Sequence, residues 1–164
     1  MDDDELMEKA NAYATRRGLT VGEGLGFGIH GIVALLKSEE QPGATALKVH
    51  HSAEFYGRER EVYERLKEER CTRIRGFRVP QLLRFDDELL GLEMTVVAAP
   101  HVLDFAGAYL DFPPRFSEEV WAEWERKNQE QFGEDWAMAQ IILDDLRDMG
   151  IHMIDPSPSN IRFR

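Results

Sequence analysis

The stretch that most constrains this chain is Gly26-Phe27-Gly28-Ile29-His30-Gly31-Ile32-Val33, a G-x-G-x-x-G-x-V pattern. Glycines at this spacing leave bare backbone that can approach phosphate oxygens, but the same spacing also builds an ordinary tight turn. The flanking residues decide what kind of loop it is. Leu19-Thr20-Val21 reads as a short strand before the glycines and residues 32–36 as a second strand after them. Glu39-Glu40-Gln41-Pro42-Gly43 supplies a turn, and residues 45–49 a third strand. In a dinucleotide-binding crossover the last glycine opens a helix. Here it opens a β-branched apolar run, so the loop joins two antiparallel strands and the dinucleotide reading is disfavoured. The Walker pattern fails too, because no Gly-Lys-Ser/Thr follows.

The chain has 164 residues, 43% of them hydrophobic, which suits one medium domain or two small lobes sharing an interface. A net charge of -11 argues against general binding to nucleic acid or anionic membrane. The charge is uneven: residues 104–155 carry thirteen Asp/Glu against four Lys/Arg, and residues 58–84 nine Lys/Arg against five Glu. Solvated helix faces account for both runs, with a partner-binding basic patch as the lesser reading. Cys71 is the only cysteine, which rules out an intrachain disulfide and a cysteine-only metal site and fits a reducing cytoplasm. Met1 to Glu5 is acidic where a signal peptide would be basic, and no apolar run is long enough to span a bilayer.

Before the glycines, acids in the first turn, Arg16 and Arg17 at the end and a stop at Gly18 predict a helix over 2–17. After the third strand, residues 53–69 read as a helix with Phe55, Val62 and Leu66 on its apolar side, then 77–85 and 89–97 as strands around Asp86-Asp87-Glu88. Ala98-Ala99-Pro100 breaks the pattern like a hinge. Ser117 caps a helix whose Trp121, Trp124, Asn128 and Phe132 share a stripe that belongs in a core. Trp136, Ala139, Leu143 and Leu146 mark a second amphipathic helix ending at Gly150. A short apolar stretch and Asp155-Pro156-Ser157-Pro158-Ser159-Asn160 complete the order. The expected division is a helical extension at 1–18, a first lobe at 19–97 and a reduced helical lobe at 98–164.

Glycine loop, Lys48 seventeen residues beyond Gly31, an acid-rich helix and a D-x-x-x-x-N spacing at Asp155 and Asn160 occur in that order. Together, from Leu19 to Arg164, they resemble the protein-kinase-like fold. The resemblance implies a two-lobed α+β architecture: a five-stranded antiparallel sheet plus one main helix in the first lobe, and a small helical second lobe. It also implies ATP and Mg2+ as cofactors. Gly26, Gly28 and Gly31 would cover the phosphates, while Leu25, Val33 and Ala46 would form an apolar roof over adenine. Lys48 would contact the α- and β-phosphates and pair with a glutamate on the next helix. Glu61 is the first choice, with Glu59 and Glu64 as alternatives that spacing alone does not separate. Met94 would guard the back of the adenine pocket, with Thr95, Val96 and Val97 as hinge. Asp155 would take a proton from the acceptor hydroxyl, and Asn160 would ligate magnesium.

The departures from that pattern bear on activity. Met153 and Ile154 precede Asp155 where His and Arg are common, and Ser157 stands where a lysine often contacts the transferred phosphate. Arg162 replaces an apolar floor under adenine. No Asp-Phe-Gly follows Asn160, so the main metal-binding aspartate of the pattern is not found at its expected place. Two functions follow: ATP-dependent phosphotransfer to a hydroxyl acceptor, or a catalytically inactive, pseudokinase-type binding module working through protein partners. A homodimer covering the tryptophan-rich helical face belongs with either.

Overall fold

The computed structural model describes residues 1–164, the side chain of Leu25 excepted. The chain opens with α1 (Asp3–Arg16), begun by a reciprocal cap in which Asp2 accepts from the Glu5 N–H and Glu5 accepts from the Asp2 N–H. Leu6, Ala10, Tyr13 and Ala14 form its buried stripe. They pack on Ile32, Leu36, Leu47 and Val49, so the first helix covers one face of the sheet that follows.

That sheet has five strands in the order β1-β2-β3-β7-β6, all antiparallel. They are β1 (Thr20–Gly28), β2 (Gly31–Lys37), β3 (Ala44–His50), β6 (Leu82–Asp86) and β7 (Gly91–Thr95). The glycine stretch, expected as a loop after Val21, is itself strand. The β1–β2 ladder runs to Gly28↔Gly31, with register shifts between Val21 and Gly26, and only Ile29-His30 forms the turn. Glycine gives no side chain to pack, so irregular pairing is the natural result.

Strand β3 lies in the middle, between β2 and β7. Alternation sends Leu47 and Val49 toward α1, and Ala46, Lys48 and His50 toward the opposite face. That opposite face is covered by α2 (Ala53–Glu68), started by Ser52, whose Oγ accepts from the Phe55 N–H. The predicted strand 77–85 is divided at Pro80, which has no N–H for a ladder. Its first part is β5 (Phe77–Arg78) and its last part is β6. β5 joins a second sheet, in the order β11-β8-β5-β4, with β4 (Arg73–Ile74), β8 (His101–Val102) and β11 (Ile161–Arg162). The β5–β8 pair is parallel. A third pair joins β9 (Tyr109–Leu110) to β10 (Ile151–His152).

The remaining helices are α3 (Glu118–Phe132) and α4 (Trp136–Asp148), separated by a 3-10 turn over Gly133–Asp135. A large core joins Val62, Tyr63 and Leu66 of α2 to Ala139, Ile142 and Leu146 of α4 and to Phe105. The tryptophan stripe is core only in part. Phe132 and Trp136 are buried and stacked, whereas Trp121 and Trp124 are half-buried and Phe116 and Val120 are exposed. The architecture is α+β with mostly antiparallel sheets. Among the described residues no helix is long and apolar enough to cross a membrane.

Candidate functional site

The site is built around Lys48. Its place on the central strand leaves it 6% exposed, and an ammonium that deeply buried needs compensating charge. Two carboxylates supply it: Glu59 Oε2 at 2.7 Å and Asp104 Oδ1 at 2.6 Å. Burial alone would lower the Lys48 pKa; the two acids outweigh it and raise it.

Glu59 corrects the first expectation, which placed Glu61 in this role. On α2 the buried positions are Tyr56, Glu59, Val62, Tyr63 and Leu66, one face of a 3.6-residue period, and Glu61 points out to solvent. Glu64 faces outward as well, taking a hydrogen bond from Arg60 Nε at 3.1 Å. Glu59 is fully buried and both of its oxygens are engaged. Oε2 also accepts from His50 Nε2 at 2.6 Å, and Oε1 accepts from the Phe105 N–H at 3.1 Å. Burial would raise its carboxyl, but the Lys48 charge and the His50 hydrogen bond hold it at about 2.

Asp104 is the site residue that sequence reading missed. It follows β8 in the order Asp104-Phe105-Ala106-Gly107, well before Asn160 rather than after it. Its φ of 65° is the left-handed region, which turns the carboxylate back toward Lys48. Phe105 then points the other way, fully buried and packed edge-on against Tyr63 at 5.4 Å between centroids. The Asp-Phe pair at the end of a short apolar run was the available signal.

Asp155 and Asn160 come from the loop between β10 and β11. That loop is tied to Asp104 because β11 pairs with β8 and the Leu103 N–H donates to the Asn160 carbonyl at 2.9 Å. Asn160 Nδ2 donates to the Asp155 carbonyl at 3.2 Å, which braces the loop and leaves the amide oxygen as its acceptor. The Asp155 carboxylate lies against the backbone of Gly107, where a Cβ would come within 2.7 Å of Oδ2. Burial, and then the charge of Asp104, raise the Asp155 pKa. Its Oδ1 is buried without a hydrogen-bond partner, while Oδ2 lies 3.5 Å from His30 Nε2.

These elements border a cleft of about 420 Å³. Of the expected residues, Gly26, Gly28, Gly31, Val33, Ala46, Lys48, Met94, Thr95 and Val97 line it. Asp155 and Asn160 do not line it: Asp155 Oδ2 lies 3.5 Å from the lining residue His30, and Asn160 follows the lining residue Ser159 in the chain. The Leu25 side chain lies outside the described residues. Arg162 also lines the cleft, as does His101, whose pKa is lowered by burial and whose Nδ1 has no partner. Gly31 is required by space as well as by conformation, since a Cβ there would lie 2.0 Å from the Val49 carbonyl oxygen. Chemically the cleft joins an apolar end to a charge-compensated lysine and the Asp104 carboxylate, with the unpartnered Asp155 Oδ1 behind His30. No protein-family description, curated protein or solved structure matched the chain.

Proposed function

We propose that this chain is a kinase-like nucleotide-binding protein that holds ATP under the β1–β2 hairpin and passes its γ-phosphate to a hydroxyl acceptor. The observation carrying this reading is Lys48 clamped between Glu59 and Asp104 in the same cleft as the glycine hairpin, with Asp155 against the lining residue His30. In this reading the backbone of Gly26, Gly28 and Gly31 covers the phosphates and Lys48 contacts the inner two. Adenine lies between Val33, Ala46 and the hinge at Thr95 to Val97. Asp155, whose raised pKa improves it as a proton acceptor, receives the proton of the acceptor hydroxyl.

Asp104 offers a carboxylate in the cleft, and with the Asn160 amide oxygen it would fit a hard divalent cation. Among the described residues no three His, Cys, Asp or Glu side chains form a ready cage, so phosphate oxygens would complete the coordination. Magnesium held there would neutralise charge on the outer phosphates.

A second reading, a non-catalytic module acting through a protein partner, is favoured by Phe112, Phe116 and Val120, all exposed on the acidic half, with Phe116 against Trp121. Calorimetric titration of ATP with and without magnesium, alongside a phosphate-transfer and release assay, separates the two. The enzyme reading expects magnesium to tighten ATP binding, Asp104→Asn to remove most of that gain, and Asp155→Asn to abolish transfer while ATP still binds. Binding with neither transfer nor release would favour the module; no binding would sink the nucleotide reading.

A further inference from the structure

His30 sits at the tip of the glycine hairpin and no established role accounts for its position. It is 9% exposed, and neither ring nitrogen has a hydrogen-bond partner. Buried polar groups are normally satisfied, so an imidazole left open beside a cleft points to a ligand. Its placement is fixed on three sides. The ring packs on Phe55 at 4.4 Å between centroids, the His30 carbonyl accepts from the His51 N–H at 3.0 Å, and Gly31 presses against the β3 backbone behind it. So held, Nε2 faces Asp155 at 3.5 Å.

The charge around this end of the cleft sharpens the point. Lys48 is already shared by Glu59 and Asp104, and Asp155 lies close enough to Asp104 for that charge to raise its pKa. A terminal phosphate entering here meets two carboxylates. His30 is the only basic side chain within 4 Å of the Asp155 carboxylate among the described residues. Hydrogen bonds from an imidazole to phosphate are charge-assisted and stronger than neutral ones. We infer that His30 is a ligand of the terminal phosphate of a nucleoside triphosphate, its Nε2 donating to a γ-phosphate oxygen. This rests on the nucleotide reading above and adds to it a side chain that distinguishes triphosphate from diphosphate.

The test is the ratio of affinities for magnesium–ATP and magnesium–ADP, measured by calorimetry on the whole chain. His30→Ala is expected to weaken ATP roughly tenfold while ADP stays within about twofold. His30→Gln, which carries an N–H at the reach of Nε2, should keep the ATP preference to within about threefold of wild type. Equal losses for ATP and ADP, or an unchanged ratio, would overturn the inference. So would a glutamine variant as weak as alanine. A wild-type chain that binds neither nucleotide would instead defeat the nucleotide reading itself, which the wild-type titration shows before any variant is made.

Discussion

At the scale of single residues, the decisive contact is the one between Lys48 and Glu59. Removing one member of a buried ion pair leaves a charge uncompensated, so Glu59→Gln should cost roughly 3 kcal/mol in urea unfolding, toward the low end because Asp104 remains. Glu61→Gln, on the outer face of α2, should leave the unfolding midpoint where it was. The same carboxylate sets a pH dependence. Its pKa falls from an ordinary 4.5 to about 2 on folding, so the unfolded chain binds the extra proton between those values. The stabilisation is complete above about pH 4.5 and is lost as pH falls toward 2. The stability–pH profile of Glu59→Gln should therefore be shallower than wild type in that window, and parallel profiles would refute the assignment. Spacing could narrow the partner of Lys48 to three glutamates but could not choose among them. The choice depends on helix phase, which Val62, Tyr63 and Leu66 fix only once they are seen packed.

At the scale of elements, the hairpin brings the glycines and His30 to the cleft and α2 brings Glu59. Gly31 and Gly28 should behave differently although both belong to the same pattern. Gly31→Ala meets the Val49 carbonyl at once and has a φ of 154°, so a loss of about 2–4 kcal/mol is expected. Gly28→Ala has its nearest neighbour 3.8 Å away and should fold as well as wild type while weakening nucleotide binding. Chemical unfolding of the two variants side by side checks this. Ser52→Ala removes the cap of α2 and should cost about 1 kcal/mol by the same measurement. The helices were legible because each carries an apolar stripe at the helical period, reinforced by side-chain caps at Asp2, Ser52 and Ser117. The two-residue strands were not, because β4, β5, β8, β9, β10 and β11 are too short to show alternation, and apart from the local β4–β5 pair they join partners distant in sequence.

At the scale of the whole molecule, two cores meet along the central sheet, one under α1 and one reaching from α2 to α4. The cleft lies where the second core gives way to the hinge and the β10–β11 loop. Asp104 shows most clearly why half of the site could not be read from order alone. It stands 56 residues from Lys48, it uses a left-handed backbone, and it precedes the Asp155 loop instead of following it. Phe105 holds that arrangement from below, and Phe105→Ala should cost about 3–5 kcal/mol and loosen Asp104 along with it. The central claim is that a clamped lysine under a glycine hairpin makes this cleft a nucleotide site. Titrating magnesium–ATP into the wild-type chain and into Lys48→Met tests it most directly. The account predicts saturable one-to-one binding that Lys48→Met weakens at least tenfold without unfolding the chain; binding that ignores the substitution, or none at all, would contradict it.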